Sequence, residues 1–172
     1  MAIIKPFEAI RPKPELADKV ASLPYDVMNT EEARTMANGN PHSFLHVSRA
    51  EIDLVPETDV HSQQVYLKAK ENFLKMIADG VLFQDTSPCY YVYSLVMNGR
   101  RQVGLVACSS IDDYFNDVIK KHEFTRPEKE QDRIDHMVAL KAQVGPVFLT
   151  YKKNDNVNAI IDKVMMKQGT VY

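Results

Sequence analysis

The sequence predicts an α+β fold, with a mixed, mainly antiparallel sheet and flanking helices, in a single domain over residues 1–172. Three observations carry that prediction. Residues 90–110, YYVYSLVMNGRRQVGLVACSS, hold two β-rich runs around Asn98-Gly99, the favoured dipeptide of a type I′ hairpin turn. Residues 61–80, HSQQVYLKAKENFLKMIADG, form the clearest helix. Strands and helices are mixed along the chain, and the one sure hairpin is antiparallel, which argues against a doubly wound parallel sheet.

The elements follow in order. IIKPF (residues 3–7) reads as a short strand that Pro6 confines to an edge. PELADKVASL (residues 14–23) places Leu16, Val20 and Leu23 at helical spacing, with Pro14 in the first turn. Pro24 stops it, and Tyr25-Asp26-Val27 is a loop. Asn29, with Glu32 three residues later, reads as an N-cap with a capping carboxylate. The short helix it opens closes at Gly39. SFLHVS (residues 43–48) is a strand candidate. In the helix of residues 61–80, Val65, Leu67, Phe73, Leu74 and Ile77 make up much of the apolar stripe, and Gly80 ends it. A further helix is expected over residues 127–143, a strand over 144–152 (VGPVFLTYK), and a last helix over 156–169, closed by Gly169.

Composition bounds the function. Apolar residues make up 45 % and charged residues 26 %, with a net charge near −2. That is an ordinary globular mixture with no global basic field, which argues against nucleic acid as a partner. Cys89 and Cys108 lack CxxC spacing and read as small buried hydrophobes in strands, and the composition fits a reducing cytosol. The N-terminal residues show no signal-peptide pattern. No apolar run approaches the about 20 residues of a membrane span. The GxxxxGK[ST], GxGxxG and GxSxG fingerprints are all missing.

Chemistry gathers in residues 120–136, KKHEFTRPEKEQDRIDH, where seven basic side chains, both histidines counted, stand among five acidic ones. Thr125 and Glu128 match a capping box, with Pro127 in the first turn. Helical spacing then places Lys129, Asp132, Arg133 and His136 on one broad face, while Met137, Leu140 and Val144 continue an apolar one. Such a helix start suits an anion, and Arg126 and Arg133 offer planar forks for phosphate oxygens. His122 or His136 can carry a proton near neutral pH. Glu123 or Asp132 can orient a histidine, hold Mg²⁺ or act as a base. A solvated, salt-bridging face is the competing reading of the same residues. The spacing of His122, Glu123, Asp132 and His136 matches no recognised metal-ligand pattern, so no metal site is assigned. His42 and His46 read as strand residues with satisfied rings.

Several short motifs occur in a fixed order: IKPF with IRP, LPYDV, NPHSFLHV, EID, KKHE with TRP and KE, then Asp132-Arg133 and His136, and GPVFL. In that order, over roughly residues 3–151, the chain resembles the bacterial and archaeal family catalogued as domain of unknown function 1015. Members of that family are more than twice as long. Further along they carry an Asp-Gly-His-His-Arg motif similar to the phosphate-gripping motif of the ParB and sulfiredoxin superfamily, which includes nucleotide-dependent kinases of free serine. This sequence contains no such motif, so the chain is expected to be the N-terminal part of a longer protein whose C-terminal half completes the site.

The resemblance implies a phosphorylated small molecule of serine or phosphoserine metabolism as ligand. LPYDV, NPHSFLHV and KKHEFTRP are then expected to converge on one cleft. Lys120, Lys121, Thr125, Arg126, Lys129, Arg133, Tyr25 and His46 would bind the ligand there, joined by Arg49. His122, Glu123 and Asp26 would be the catalytic groups. An Asx-turn after Pro24 is the competing role for Tyr25-Asp26. The expected activity is phosphoryl transfer between serine and a nucleotide, ATP or ADP with Mg²⁺, or phosphoserine hydrolysis. The alternative is a non-catalytic regulator that binds a nucleotide or phosphometabolite. Self-association into a homo-oligomer is expected of an isolated half.

Overall fold

Capping and turn chemistry set several element boundaries, at Asn29, Gly80, Asn98-Gly99 and Ser110. The computed structural model describes residues 2–122 and 125–168. Among them, six strands are β1 (Ile4–Lys5), β2 (Ile10–Pro12), β3 (Leu82–Gln84), β4 (Tyr91–Met97), β5 (Arg100–Val106) and β6 (Cys108–Ser109). Seven α-helices are α1 (Ala17–Val20), α2 (Thr30–Ala37), α3 (Leu45–Ser48), α4 (Gln63–Ala78), α5 (Ile111–Phe115), α6 (Pro127–Leu140) and α7 (Asp155–Gln168). The strands form two-stranded ladders, β1 with β6, β2 with β3 and β4 with β5. The fold is α+β.

The expected hairpin is present: Tyr91 pairs with Val106 and Met97 with Arg100, antiparallel throughout. Asn98 and Gly99 sit at φ 52° and 75°, the left-handed pair that a type I′ turn requires. The α2 capping box is complete. Asn29 Oδ1 accepts from the Glu32 amide at 2.9 Å, and Glu32 Oε2 accepts from the Asn29 amide at 2.8 Å.

Several expectations are corrected. SFLHVS is not a strand: residues 45–48 form the single helical turn α3. Leu45 and Val47 are both buried, which mimics strand alternation. On a helix they point about 200° apart, and here Leu45 enters one apolar cluster while Val47 enters another. VGPVFLTYK forms no regular element, and Val147 and Phe148 are exposed. The first expected helix is a 3₁₀ turn, Pro14–Leu16, followed by the four residues of α1. Helix α6 ends at Leu140, where Lys141 takes a left-handed φ of 55°. Thr125 is not its cap. Arg126 takes the N-cap position with extended backbone, as a residue before proline prefers, and Thr125 Oγ1 donates to Glu130 Oε2 at 2.5 Å. Cys89 and Cys108 are exposed rather than buried. Gly169 lies outside the described residues.

The chain divides into two compact units. Unit 1 comprises residues 1–11, 84–124 and 149–172. Its main polar pin is Asp85, which takes a bidentate grip from Arg11 at 2.9 and 2.6 Å and the Tyr91 hydroxyl at 2.6 Å. The Arg11 bonds, with help from Tyr91, hold the Asp85 carboxyl below its ordinary range.

Unit 2 comprises residues 12–83 and 125–148 and holds the larger core. Val65, Ala69, Phe73 and Met76 of α4 face Val20, Val47, Ala50, Val81, Leu82 and Leu140. This stripe differs from the expected one: Leu67, Leu74 and Ile77 are exposed on the other side of α4. Gly80 ends the helix at φ 69°, and a Cβ there would come within 3.2 Å of Lys13 Nζ.

Candidate functional site

Unit 2 gathers a polar cluster where α6 lies beside α4 and the 3₁₀ turn Tyr25–Val27. Helix α6 turns His136, one helical turn before Leu140, and Asp132 and Arg133, about two turns before it, inward, and Leu140 anchors the helix in the core. Asp132 is the hub. Its Oδ1 accepts from the Tyr66 hydroxyl at 2.7 Å and faces His61 Nδ1 at 2.8 Å, while Oδ2 receives Arg133. Burial pushes the Asp132 carboxyl up, but the donors Tyr66, His61 and Arg133 outweigh it, so the group lies below its ordinary range. The converse holds for Tyr66: burial, then the bond to Asp132, pushes its hydroxyl above the ordinary value.

Arg133 extends past Asp132 to Tyr25, with its guanidinium carbon 4.2 Å from the ring centre. Tyr25 also offers its carbonyl to Arg49 Nη1 at 3.4 Å. Arg49 Nη2 donates to Thr30 Oγ1 at 3.1 Å, and Arg49 Nε lies 2.8 Å from Glu51 Oε1, an ion pair with the N–H off the line of a hydrogen bond. Thr30 in turn donates to Glu51, whose carboxylate is buried. His136 closes the cluster underneath, its Nε2 3.1 Å from the Val47 carbonyl. Burial pushes the His136 imidazole below its ordinary value, which keeps it neutral, so Nε2 carries the proton and donates to Val47.

The predicted site residues divide among several places. Tyr25, Arg49 and Arg133 are brought together. Asp26 is exposed on the same turn as Tyr25. Arg126, the N-cap of α6, and Lys129, in its first turn, are exposed about two turns and one turn before Arg133 along the helix, with no hydrogen bond or ion pair of their side chains among the described residues. Thr125 engages Glu130. His46 is held in a set of its own. Its Nδ1 faces both oxygens of Asp53 at 2.9 and 3.0 Å, and Nε2 faces the Asn40 carbonyl at 3.2 Å. Asn72 donates to both the His46 carbonyl and Asp53 at 2.7 Å. His46 lines an open hollow of about 370 Å³ with Arg34, Asn38, Asn40 and Asp53. Lys120, Lys121 and His122 belong to unit 1. Lys120 pairs with Asp117 at 2.7 Å, and Lys121 Nζ lies 4.6 Å from the Tyr114 ring centre. Glu123 lies outside the described residues.

His61, Tyr66, Thr30 and Glu51 are absent from the sequence-derived set. His61 and Tyr66 reach Asp132 across sequence separations of 71 and 66, and no local motif announces either. Among the described residues no three His, Cys, Asp or Glu side chains gather as a metal-ligand set. No helix among them is long and apolar enough to cross a membrane.

Fold and cluster together define an α+β protein with arginines, histidines and carboxylates gathered at one helix. It belongs to the family described as "Protein of unknown function (DUF1015)", whose profile matches residues 4–172. No curated protein and no solved structure matches the chain.

Proposed function

We propose that the protein acts on a phosphorylated small molecule, bound along the cationic face of α6, and transfers or hydrolyses its phosphoryl group. One observation carries this reading: Arg126, Lys129 and Arg133 rise along one face of α6, the first two without partners among the described residues, and Tyr25 backs the third. A row of cations with a planar fork at its end matches an anion that carries several oxygens. Because the reaction needs charge neutralisation and positioning more than covalent help, such a face supplies what it requires. Free serine and phosphoserine are the pair that the motif resemblance suggests, with ATP or ADP as the nucleotide partner. Mg²⁺ accompanying that nucleotide would find no three-residue ligand set among the described residues. The full-length protein would add the phosphate-gripping motif that the resemblance places beyond this sequence.

The test is phosphorus NMR with phosphoserine and Mg²⁺, with and without ADP. Phosphate released without ADP identifies a phosphatase, and phosphoserine consumed only with ADP, yielding ATP, identifies a reversible serine kinase. Binding of phosphoserine with no turnover makes the protein a regulator instead.

A further inference from the structure

We infer that His61 is a catalytic residue of this site, the proton acceptor for the hydroxyl that attacks phosphorus, held in place by Asp132. The inference rests on the phosphoryl-transfer reading above. The ring of His61 is 66 % exposed, yet its Nδ1 lies 2.8 Å from Asp132 Oδ1. Asp132 is ionised, so it accepts only, and Nδ1 must be the nitrogen that carries the proton. That assignment leaves the lone pair of Nε2 facing solvent. A carboxylate that fixes the tautomer of an imidazole whose other nitrogen is open is the arrangement of a general base.

The other four histidines do not combine these features. His46 has a carboxylate on Nδ1, but its Nε2 faces the Asn40 carbonyl. His136 is buried with Nε2 on Val47. Among the described residues His42 and His122 have no carboxylate partner, and His122 belongs to unit 1.

The imidazole is also well placed. Asp132 holds His61 by one oxygen and Arg133 by the other, so the open nitrogen and the end of the cationic row flank a single carboxylate. Tyr66 donates to the same Oδ1 and sets the angle of the carboxylate from α4. The His61 amide donates to Asp59 Oδ1 at 3.0 Å, which fixes the backbone ahead of α4. The carboxylate is thus held by Tyr66 and Arg133 and the His61 backbone by Asp59, while the ring itself is held by Asp132.

In the step itself, the oxygen of water forms a bond to phosphorus as the ester P–O bond of phosphoserine breaks. The bonding pair departs with the serine oxygen. The proton of water passes to His61 Nε2 and from there to the departing oxygen. With serine as the attacking hydroxyl, its oxygen forms the bond to the γ-phosphorus of a nucleoside triphosphate, its own proton passes to Nε2 and on to solvent, and the P–O bond to the nucleoside diphosphate breaks with the bonding pair leaving on the diphosphate oxygen.

The experiment compares wild type, His61→Ala and Asp132→Asn as full-length proteins. Turnover of phosphoserine, or of serine with ATP and Mg²⁺, is followed by phosphorus NMR and ligand binding by calorimetry. His61 is exposed, so His61→Ala is expected to fold, and circular dichroism verifies it. The expected result is a fall in kcat of about 100-fold or more with KM and Kd within about threefold, partly restored by added imidazole. Asp132→Asn, if folded, lowers kcat in the same direction. Turnover by His61→Ala within about fivefold of wild type overturns the assignment and leaves the functional reading standing. So does a loss that imidazole does not restore. Wild type that binds phosphoserine without turning over either substrate pair overturns it in favour of a binding protein. Wild type that neither binds nor turns over overturns both readings.

Discussion

The guanidinium carbon of Arg133 lies 4.2 Å from the centre of the Tyr25 ring. The stack joins α6 to the turn that follows Pro24, while Nε and Nη2 on the edge of the same guanidinium donate to Asp132. Tyr25→Leu removes the ring and keeps an apolar side chain. We expect phosphoserine binding to weaken about fivefold, the equivalent of about 1 kcal/mol for a partly exposed stack. Titration calorimetry on the two proteins measures it. Arg133→Lys should weaken binding further, because an ammonium has neither the planar face nor the fork.

Glu51 is buried and balanced by Arg49 and Thr30. Glu51→Ala strands the Arg49 charge in a poorly solvated place, at an expected cost of about 3 kcal/mol. The double variant Arg49→Met with Glu51→Leu removes both charges and should cost less than Glu51→Ala alone. Urea denaturation midpoints compare the three proteins.

His136 makes stability depend on pH. Burial depresses its folded pKa, and Glu51, Asp132, Arg133 and the Val47 carbonyl surround it. Below about pH 6.5 the unfolded chain takes up a proton at this position while the folded one resists it. Its contribution is therefore complete above about pH 6.5 and declines as the pH falls toward the folded value. His136→Leu should flatten the fall in melting temperature between about pH 6.5 and 5. Thermal melts across that range read it, with wild type showing the steeper slope.

Phe73 and Leu74 are neighbours on α4 with opposite fates. Phe73 is 5 % exposed and Leu74 51 %. Phe73→Ala should cost about 3–5 kcal/mol through the cavity it leaves, and Leu74→Ala no more than about 0.5 kcal/mol. Equal effects in a denaturation series would mean that α4 presents a different face to the core.

Much of the fold was legible because its signals are local. The Asn29–Glu32 box, the Asn98-Gly99 turn and the stop at Gly80 each depend on backbone geometry within a few residues. The α4 stripe was only partly legible, since Leu67, Leu74 and Ile77 are as apolar as the residues that turned inward. SFLHVS reads as a strand because a one-turn helix between two apolar clusters buries alternate residues, as a strand does.

In the candidate site, the spacing along α6 placed Asp132, Arg133 and His136 on one face, and Tyr25 and Arg49 were drawn from the motif set. The partners that define their chemistry were not readable. By itself the sequence determined the α2 capping box, where the hairpin turns and which α6 residues share a side, because hydrogen bonds among near neighbours decide those. Only the tertiary structure decided that His61 and Tyr66 meet at one oxygen of Asp132, and that His46 is engaged at both nitrogens. The packing of α4 against α6 brings residues 66 and 71 positions apart within hydrogen-bonding distance of Asp132, and no local pattern encodes that approach.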